Sequence, residues 1–341
     1  MRAGRRFAGS LVAALVFAAP TLAAAQRITV RVSHRVPGAY PTIQQAIDAL
    51  PASGGVIRVD AGTWREKLRI EKPHVTLAGI GRGPAAVVLV YGDSSRTAGG
   101  TVKSATLTVV GDDFHAGNLT IRNDWGSDPA NPPSQAVALA LTGDRAVLDR
   151  VRLLGHQDTL YANKGAGNRM ARQYFSRCHV EGHVDFIFGN ANAYFRDCRL
   201  HGVAHAGVMY TAQSRNAPDE DSAYVFDRCR LTADPAASDI SLGRAWRPYA
   251  RVIFLRTRMD APILPEGWTE WTPGKTDTFR TAYYAEYRST GPGANPRRRA
   301  PASHQLSAAE AQRWQYRQLF RDPAPWVRRG LAELARATRA G

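Results

Sequence analysis

Four short stretches of this chain carry polar side chains where a structural strand would not place them. They are Gln135-Ala-Val-Ala-Leu139, Gly155-His-Gln-Asp-Thr-Leu-Tyr161, Val184-Asp-Phe-Ile-Phe-Gly189 and Leu242-Gly-Arg-Ala-Trp246. Two carboxylates brought close resist ionising together, so one tends to keep its proton while the other is anionic. A guanidinium decides which, because the carboxylate it holds stays charged. The amides of Gln135 and Gln157 donate hydrogen bonds without titrating, so they can receive an oxyanion. Asp158, Asp185, Arg244, Gln157 and Gln135 therefore supply an anionic nucleophile, a neutral acid and two donors. Those are the requirements of acyl transfer from an ester, with no serine, cysteine or histidine nucleophile.

Competing chemistries fit less well. A glycosidase needs two carboxylates but no oxyanion donors, and a calcium-dependent lyase needs an acidic cluster. His156 and His183 lie near in sequence and read as solvated strand-end or loop residues. The net charge of +16 favours a polyanionic partner. No helix-turn-helix, zinc or RNA-binding signature accompanies it, so an acidic polysaccharide is the better candidate than nucleic acid. No metal or cofactor is expected, and a monomer is.

Residues so far apart in sequence need a repeating scaffold to meet. A phrase recurs as FHAGNL at Phe114, VLDRVRL at Val147, FSRCHV at Phe175, FRDCRL at Phe195, FDRCRL at Phe226 and FLRTRM at Phe254. Its aligned positions are Gly117, Val151, Cys178, Cys198, Cys229 and Thr257, in steps of 34, 27, 20, 31 and 28 residues. Alternation of apolar and polar residues within each phrase is the strand period. Strand-rich units recurring at unequal steps predict an all-β, single-stranded parallel β-helix, a solenoid whose turns bulge into loops. The steps between the polar residues are of the same kind. Gln135 to Gln157 is 22, Asp158 to Asp185 is 27, and Asp185 to Arg244 is 59, about two coils. That spacing can bring all of them to one outer face.

The ends complete the plan. Ile43, Ala46, Ile47 and Leu50 share a helical face that would cover the open end of the stack. Ser307-Ala-Ala-Glu310 is a capping-box pattern opening a second helix that carries Trp314. The Arg- and Ala-rich tail after it is expected to be poorly ordered. Residues 1–25 read as a signal peptide: Arg2, Arg5 and Arg6, an apolar core from Leu11 to Ala19, then Ala23-Ala24-Ala25. Residues 26–305 form the β-helix domain and 306–341 a C-terminal helix and tail, packed on it or trailing from it. The chain is accordingly expected to be secreted or periplasmic, with no membrane association after the leader is removed. Cys178 and Cys198, one coil apart in an oxidising compartment, are expected to form a disulfide, leaving Cys229 as a buried thiol.

The segments GHQDTLY, VDFIFG, QAVAL and LGRAW resemble the signatures of pectin methylesterases. Weaker similarity runs through Gly62-Thr-Trp-Arg-Glu66, Thr101 to Asn123, RQYF at Arg172, TAQSR at Thr211 and GPGA at Gly291. The resemblance spans about Ile28 to Phe320 and implies a right-handed parallel β-helix acting on methyl-esterified galacturonate in pectin. It implies that Asp185 is the nucleophile, Asp158 the acid and then the base, Gln157 and Gln135 the oxyanion donors, and Arg244 the holder of Asp185. Thr101 and Trp246 match substrate-binding positions, and Tyr161 and Phe188 would line the sugar groove. Three departures stand out: Ala245 where the family has Pro, Trp64 where it has Tyr, and His183 where it has Thr. The first is expected to loosen the turn that presents Arg244. The alternatives are a related esterase or thioesterase for another acyl group, a depolymerase on the same fold, and a non-catalytic polysaccharide-binding β-helix.

Overall fold

A computed structural model of the chain describes residues 27–275 and 277–339. The proposed signal peptide lies outside them. Every ladder between its strands is parallel, and the chain winds through three faces per coil. The first face runs from Gly55–Asp60 through Val75–Ile80, Arg172–Ser176, Asn192–Arg196, Ala223–Asp227 and Arg251–Leu255 to Tyr283–Tyr287 and Ser303–Gln305. The second includes Gly62–Arg65, Val87–Tyr91, His179–Gly182, Arg199–Gly202 and Arg230–Ala233. His115–Asn123 and Ala146–Leu154 are long enough to serve both. The third is built from Leu68–Ile70, Leu107–Val109, Leu139–Leu141, Leu160–Ala162, Ile187–Gly189 and Thr211–Gln213. The fold is a parallel β-helix.

The recurring phrase is the corner between the first two faces. Asn118, Arg150, Arg177, Asp197, Arg228, Arg256 and Arg288 occupy equivalent places, each with φ between 49° and 56°. One left-handed residue per coil turns the chain from one face to the next. Inside the corner, Phe175, Phe195, Phe226 and Phe254 stack at 4.4, 4.6 and 4.7 Å between centroids. Ring-on-ring contact in register sets the interior of the solenoid. One alignment was two residues out of place: Gly117 pairs with Asp149, and it is Leu119 that pairs with Val151. Phe114 precedes the strand His115–Asn123, and through Leu148 the ladder equivalent of Phe175 is Ala116, two residues further on.

Cys178, Cys198 and Cys229 follow one another in this interior ladder, and all three are free thiols. The expected disulfide is not formed. In-register neighbours on a parallel ladder point their side chains the same way, not toward each other, and the Cys178 N–H donates to Cys198 Sγ at 3.4 Å. Burial pushes both of those thiols well above the ordinary range.

Helix Ile43–Ala49, capped by Thr42, buries Ile43, Ala46 and Ile47 against the start of the stack. At the other end Ser307 and Glu310 form the capping box, but the helix closes at Gln312 and Trp314 lies just beyond it. The tail differs from expectation: Pro325–Ala337 is a 13-residue helix burying Trp326, Val327, Gly330 and Leu334. The even spread of Arg and Ala hides this apolar stripe.

That helix is pinned through Glu333, which accepts from Thr76 Oγ1 at 2.8 Å, meets His115 Nδ1 at 3.1 Å and pairs with Arg27. Although burial works against the charge, these contacts hold its carboxyl down at about 2, against an ordinary 4.5. A depressed carboxyl contributes stability above its unfolded value and loses it as pH falls toward its folded one. In denaturant melts the wild type should therefore exceed Glu333→Gln above pH 4.5, with the gap closing between about 4.5 and about 2. A gap that does not change with pH would show that Glu333 acts by packing alone.

Candidate active site

The third face carries the chemistry, because its strands are short and the loops leaving it are long. Asp158 and Asp185 occupy equivalent places on neighbouring coils, since Leu160 pairs with Ile187 two residues further on. Both are left-handed, at φ 65° and 53°. The Asp158 N–H donates to Val184 O at 3.1 Å, so the two bends stack directly. Non-glycine residues held at positive φ cost free energy and need surrounding structure to fix them. Here the stacked coils do so.

Arg244 comes from two coils further along. Met209 follows Asp185 by one coil and pairs with Ser241 on the next. Gly243 makes the approach possible: at φ 150° it rests against Thr211, where a Cβ would come within 2.1 Å of Oγ1. The guanidinium then reaches back over the small Ala212 to Asp185. Its Nε donates to Oδ1 at 2.9 Å and its Nη2 to Oδ2 at 2.7 Å. Such forked pairs are strong and directional. Ala245 is buried and Trp246 N donates to Gln213 O, so the turn keeps both of its flanking side chains in the site.

Two opposed influences set the carboxyls. Burial raises Asp185, and the hydrogen bonds and charge of Arg244 pull it back, leaving it moderately raised. Burial also raises Asp158, and the Asp185 charge adds to it with only weak relief from Arg244, so it stands well above the ordinary value. Of the two, Asp158 is the more strongly raised, so it is the first to take up a proton as pH falls.

A cavity of about 400 Å³ encloses the pair. Gln135 and Gln157 line it, and among the described residues neither side-chain amide has a hydrogen-bond partner. Ser95 N and Ala136 N bond only to their backbone carbonyls. All nine residues expected from the sequence meet here: Asp158, Asp185, Arg244, Gln135, Gln157, Thr101, Trp246, Tyr161 and Phe188. The aromatic members form a row down the stack, with Tyr161–Phe188 at 4.9 Å and Phe188–Trp246 at 6.1 Å. Trp271 extends the row 6.4 Å beyond Trp246, and the Arg244 guanidinium lies 4.4 Å from its ring. The sequence reading missed Trp271, although it follows Trp246 by 25 residues, a coil-sized step, and Arg244 pairs with Thr269.

His156 and His183 do not line the cavity. Both are half-buried, and His183 lies between His156 and the exposed His205, at 5.6 and 4.2 Å between centroids. Burial and the two neighbouring rings push His183 down to about 3. They are packed residues, not the solvated ones expected, because ladder positions recur there as at the other corners.

A parallel β-helix with a carboxyl pair, a guanidinium clamp and free amide donors on one face defines a class of carbohydrate-active ester hydrolases. The family model for pectinesterases matches residues 29–322. Pectinesterase 31 of Arabidopsis thaliana is 37% identical over 316 residues, covering 87% of this chain and 94% of that protein. Among solved structures, pectin methylesterase from carrot superposes with a TM-score of 0.78 at 28% identity, covering 93% of this chain and 98% of that one. A pectin methylesterase bound to a hexasaccharide gives 0.70 at 29% identity, covering 85% and 96%. The chain belongs to the pectinesterase family, and it is an ester hydrolase of that type.

Proposed function

We propose that this enzyme removes methyl groups from esterified galacturonate in pectin, releasing methanol and leaving the polymer intact. The forked Arg244–Asp185 pair beside an Asp158 that no guanidinium holds is the observation that carries this reading. An Asp185 oxygen attacks the C6 carbonyl carbon, and the carbonyl electron pair moves to an oxyanion held by the Gln135 and Gln157 amides. As the oxyanion collapses, the C–OCH₃ bond breaks and Asp158 passes its proton to the departing oxygen, giving methanol and an acyl-enzyme anhydride. Asp158, now anionic, takes a proton from water, and the hydroxyl adds to the same carbon. Collapse frees the galacturonate carboxyl and returns Asp185 as a carboxylate. Thr101 and the row Tyr161, Phe188, Trp246 hold the sugar chain across the pair.

Solved relatives include a hexasaccharide complex, and a basic chain of net charge +16 suits a substrate that gains carboxylates as it is processed. The leader pattern adds export to an extracellular or periplasmic substrate, with the β-helix domain over 26–305. The test is to assay methanol and reducing ends together on methyl-esterified pectin. Methanol without new ends is expected; new reducing ends or unsaturated sugar would make the enzyme a depolymerase. Gln157→Ala removes one oxyanion donor and should lower kcat about 10²–10³-fold with little change in KM. A change confined to KM would reassign Gln157 to ground-state binding.

A further inference from the structure

A second cavity, of about 380 Å³, opens where the segment after helix Ala308–Gln312 lies over the strands Arg251–Leu255 and Tyr283–Tyr287. Arg251, Tyr283, Glu310, Arg313 and Trp314 line it. Arg251 is half-buried, and its backbone N–H is fixed by Gln213 Oε1 at 2.9 Å. Its guanidinium has no hydrogen-bond or ion-pair partner among the described residues, only the Trp314 ring at 5.7 Å. A guanidinium presents five donors, and stacking satisfies none of them.

The neighbouring groups are engaged elsewhere. Arg321 is paired with Asp221 at 2.7 Å. The Arg215 guanidinium donates only to the backbone carbonyls of Pro218, Glu220 and Tyr249. Glu310, the carboxylate in the lining, is engaged by the N–H and hydroxyl of Ser307. Burial, helped by Arg215 and Arg321, pushes Arg251 down to about 10. Arg313 adds an exposed positive charge at the rim. An anion whose two oxygens match a planar fork would satisfy the Arg251 donors. The floor, with Tyr283 and Trp314 at 5.6 Å between centroids, is aromatic and suits the apolar face of a sugar ring.

We infer that this cavity is an accessory site for a uronate with a free carboxylate, as found in de-esterified stretches of pectin. The inference rests on the function proposed above for its choice of polymer. The carboxylate would dock on Arg251, with Arg313 at the rim and the ring on Trp314. The site is tied to the catalytic cavity through Gln213, whose backbone oxygen accepts from Trp246 N while its side-chain oxygen accepts from Arg251 N. Trp246 and Arg251 are five residues apart, so their Cα atoms are separated by at most about 18 Å. A polymer that engages both would retain the enzyme beside the product it has just made.

Calorimetric titration of a fully de-esterified galacturonate oligomer tests this. The wild type should show two classes of site, and Arg251→Gln should weaken one of them by about tenfold or more while leaving kcat on a short methyl-esterified substrate unchanged. Arg313→Gln, on the exposed rim, should weaken the same class and serves if Arg251→Gln does not fold. An isotherm unchanged in both variants would overturn the assignment. So would displacement of the oligomer by inorganic phosphate as readily as by galacturonate, which would mark a general anion site. Methanol release from the same preparations separates the two proposals: a missing second class with normal methanol sinks only the accessory site, and the converse sinks only the esterase reading.

Discussion

Asp185→Asn is expected to abolish methanol release while pectin oligomers still bind. The amide is the same size and can still meet Arg244 through one oxygen, so the groove should persist. What disappears is the anionic oxygen proposed as the nucleophile, and no other carboxylate in the cavity is held by a guanidinium. Asp158 is the candidate by position, but it lies without a guanidinium clamp, and burial and the Asp185 charge raise its pKa well above the ordinary value. Burst experiments under single-turnover conditions should show neither a methanol burst nor a trapped acyl-enzyme. Turnover near the wild-type level would remove Asp185 from the nucleophile role and, with it, the two-carboxylate mechanism.

Asp158→Asn should cost about 10²–10⁴-fold in kcat, the usual value of a positioned acid and base, and it should also change the shape of the pH profile. In the proposed mechanism the wild type needs Asp158 protonated, so kcat should fall as pH rises through its raised pKa. It needs Asp185 ionised, so activity should also fall as pH drops through the Asp185 value, which burial raises and Arg244 restrains. The variant has no proton to lose at this position. Its residual activity should keep the acid limb and lack the alkaline one. An alkaline limb that survives the substitution would assign that ionisation to another group.

Most of the site was legible because function interrupts a regular pattern. Strand positions in a solenoid are apolar inside and repeat at coil spacing, so glutamine, aspartate and arginine at coil-sized steps are conspicuous. The β-helix itself was legible from the same repetition. What escaped notice depended on direction or on weak periodicity. Cys178 and Cys198 were placed on neighbouring strands correctly, but separation alone does not say that parallel side chains project alongside one another. Trp271 sat in a stretch rich in Trp, Pro and Gly where no strand pattern drew attention to it. Helix Pro325–Ala337 was concealed by arginines on its outer face, although Trp326, Val327 and Leu334 mark an inner one. Gly117 falls out of line because Phe114 imitates the phenylalanine that opens the later phrases, whereas the ladder equivalent of Phe175 is Ala116.

The one-coil interval between Asp158 and Asp185, and the two-coil interval to Arg244, divide the molecule into a part that must be counted and a part that need not be. Stacked strands are about 4.8 Å apart, so inserting one coil inside that interval would move nucleophile from acid by that amount and end the reaction with the scaffold intact. Coils added before Gln135 or after Trp271 would leave the reacting groups where they are and lengthen the surface over which a polymer lies. Within such a fold, the number of inner coils is dictated by bond-making distances. The number of outer coils is free to follow the length of substrate to be gripped.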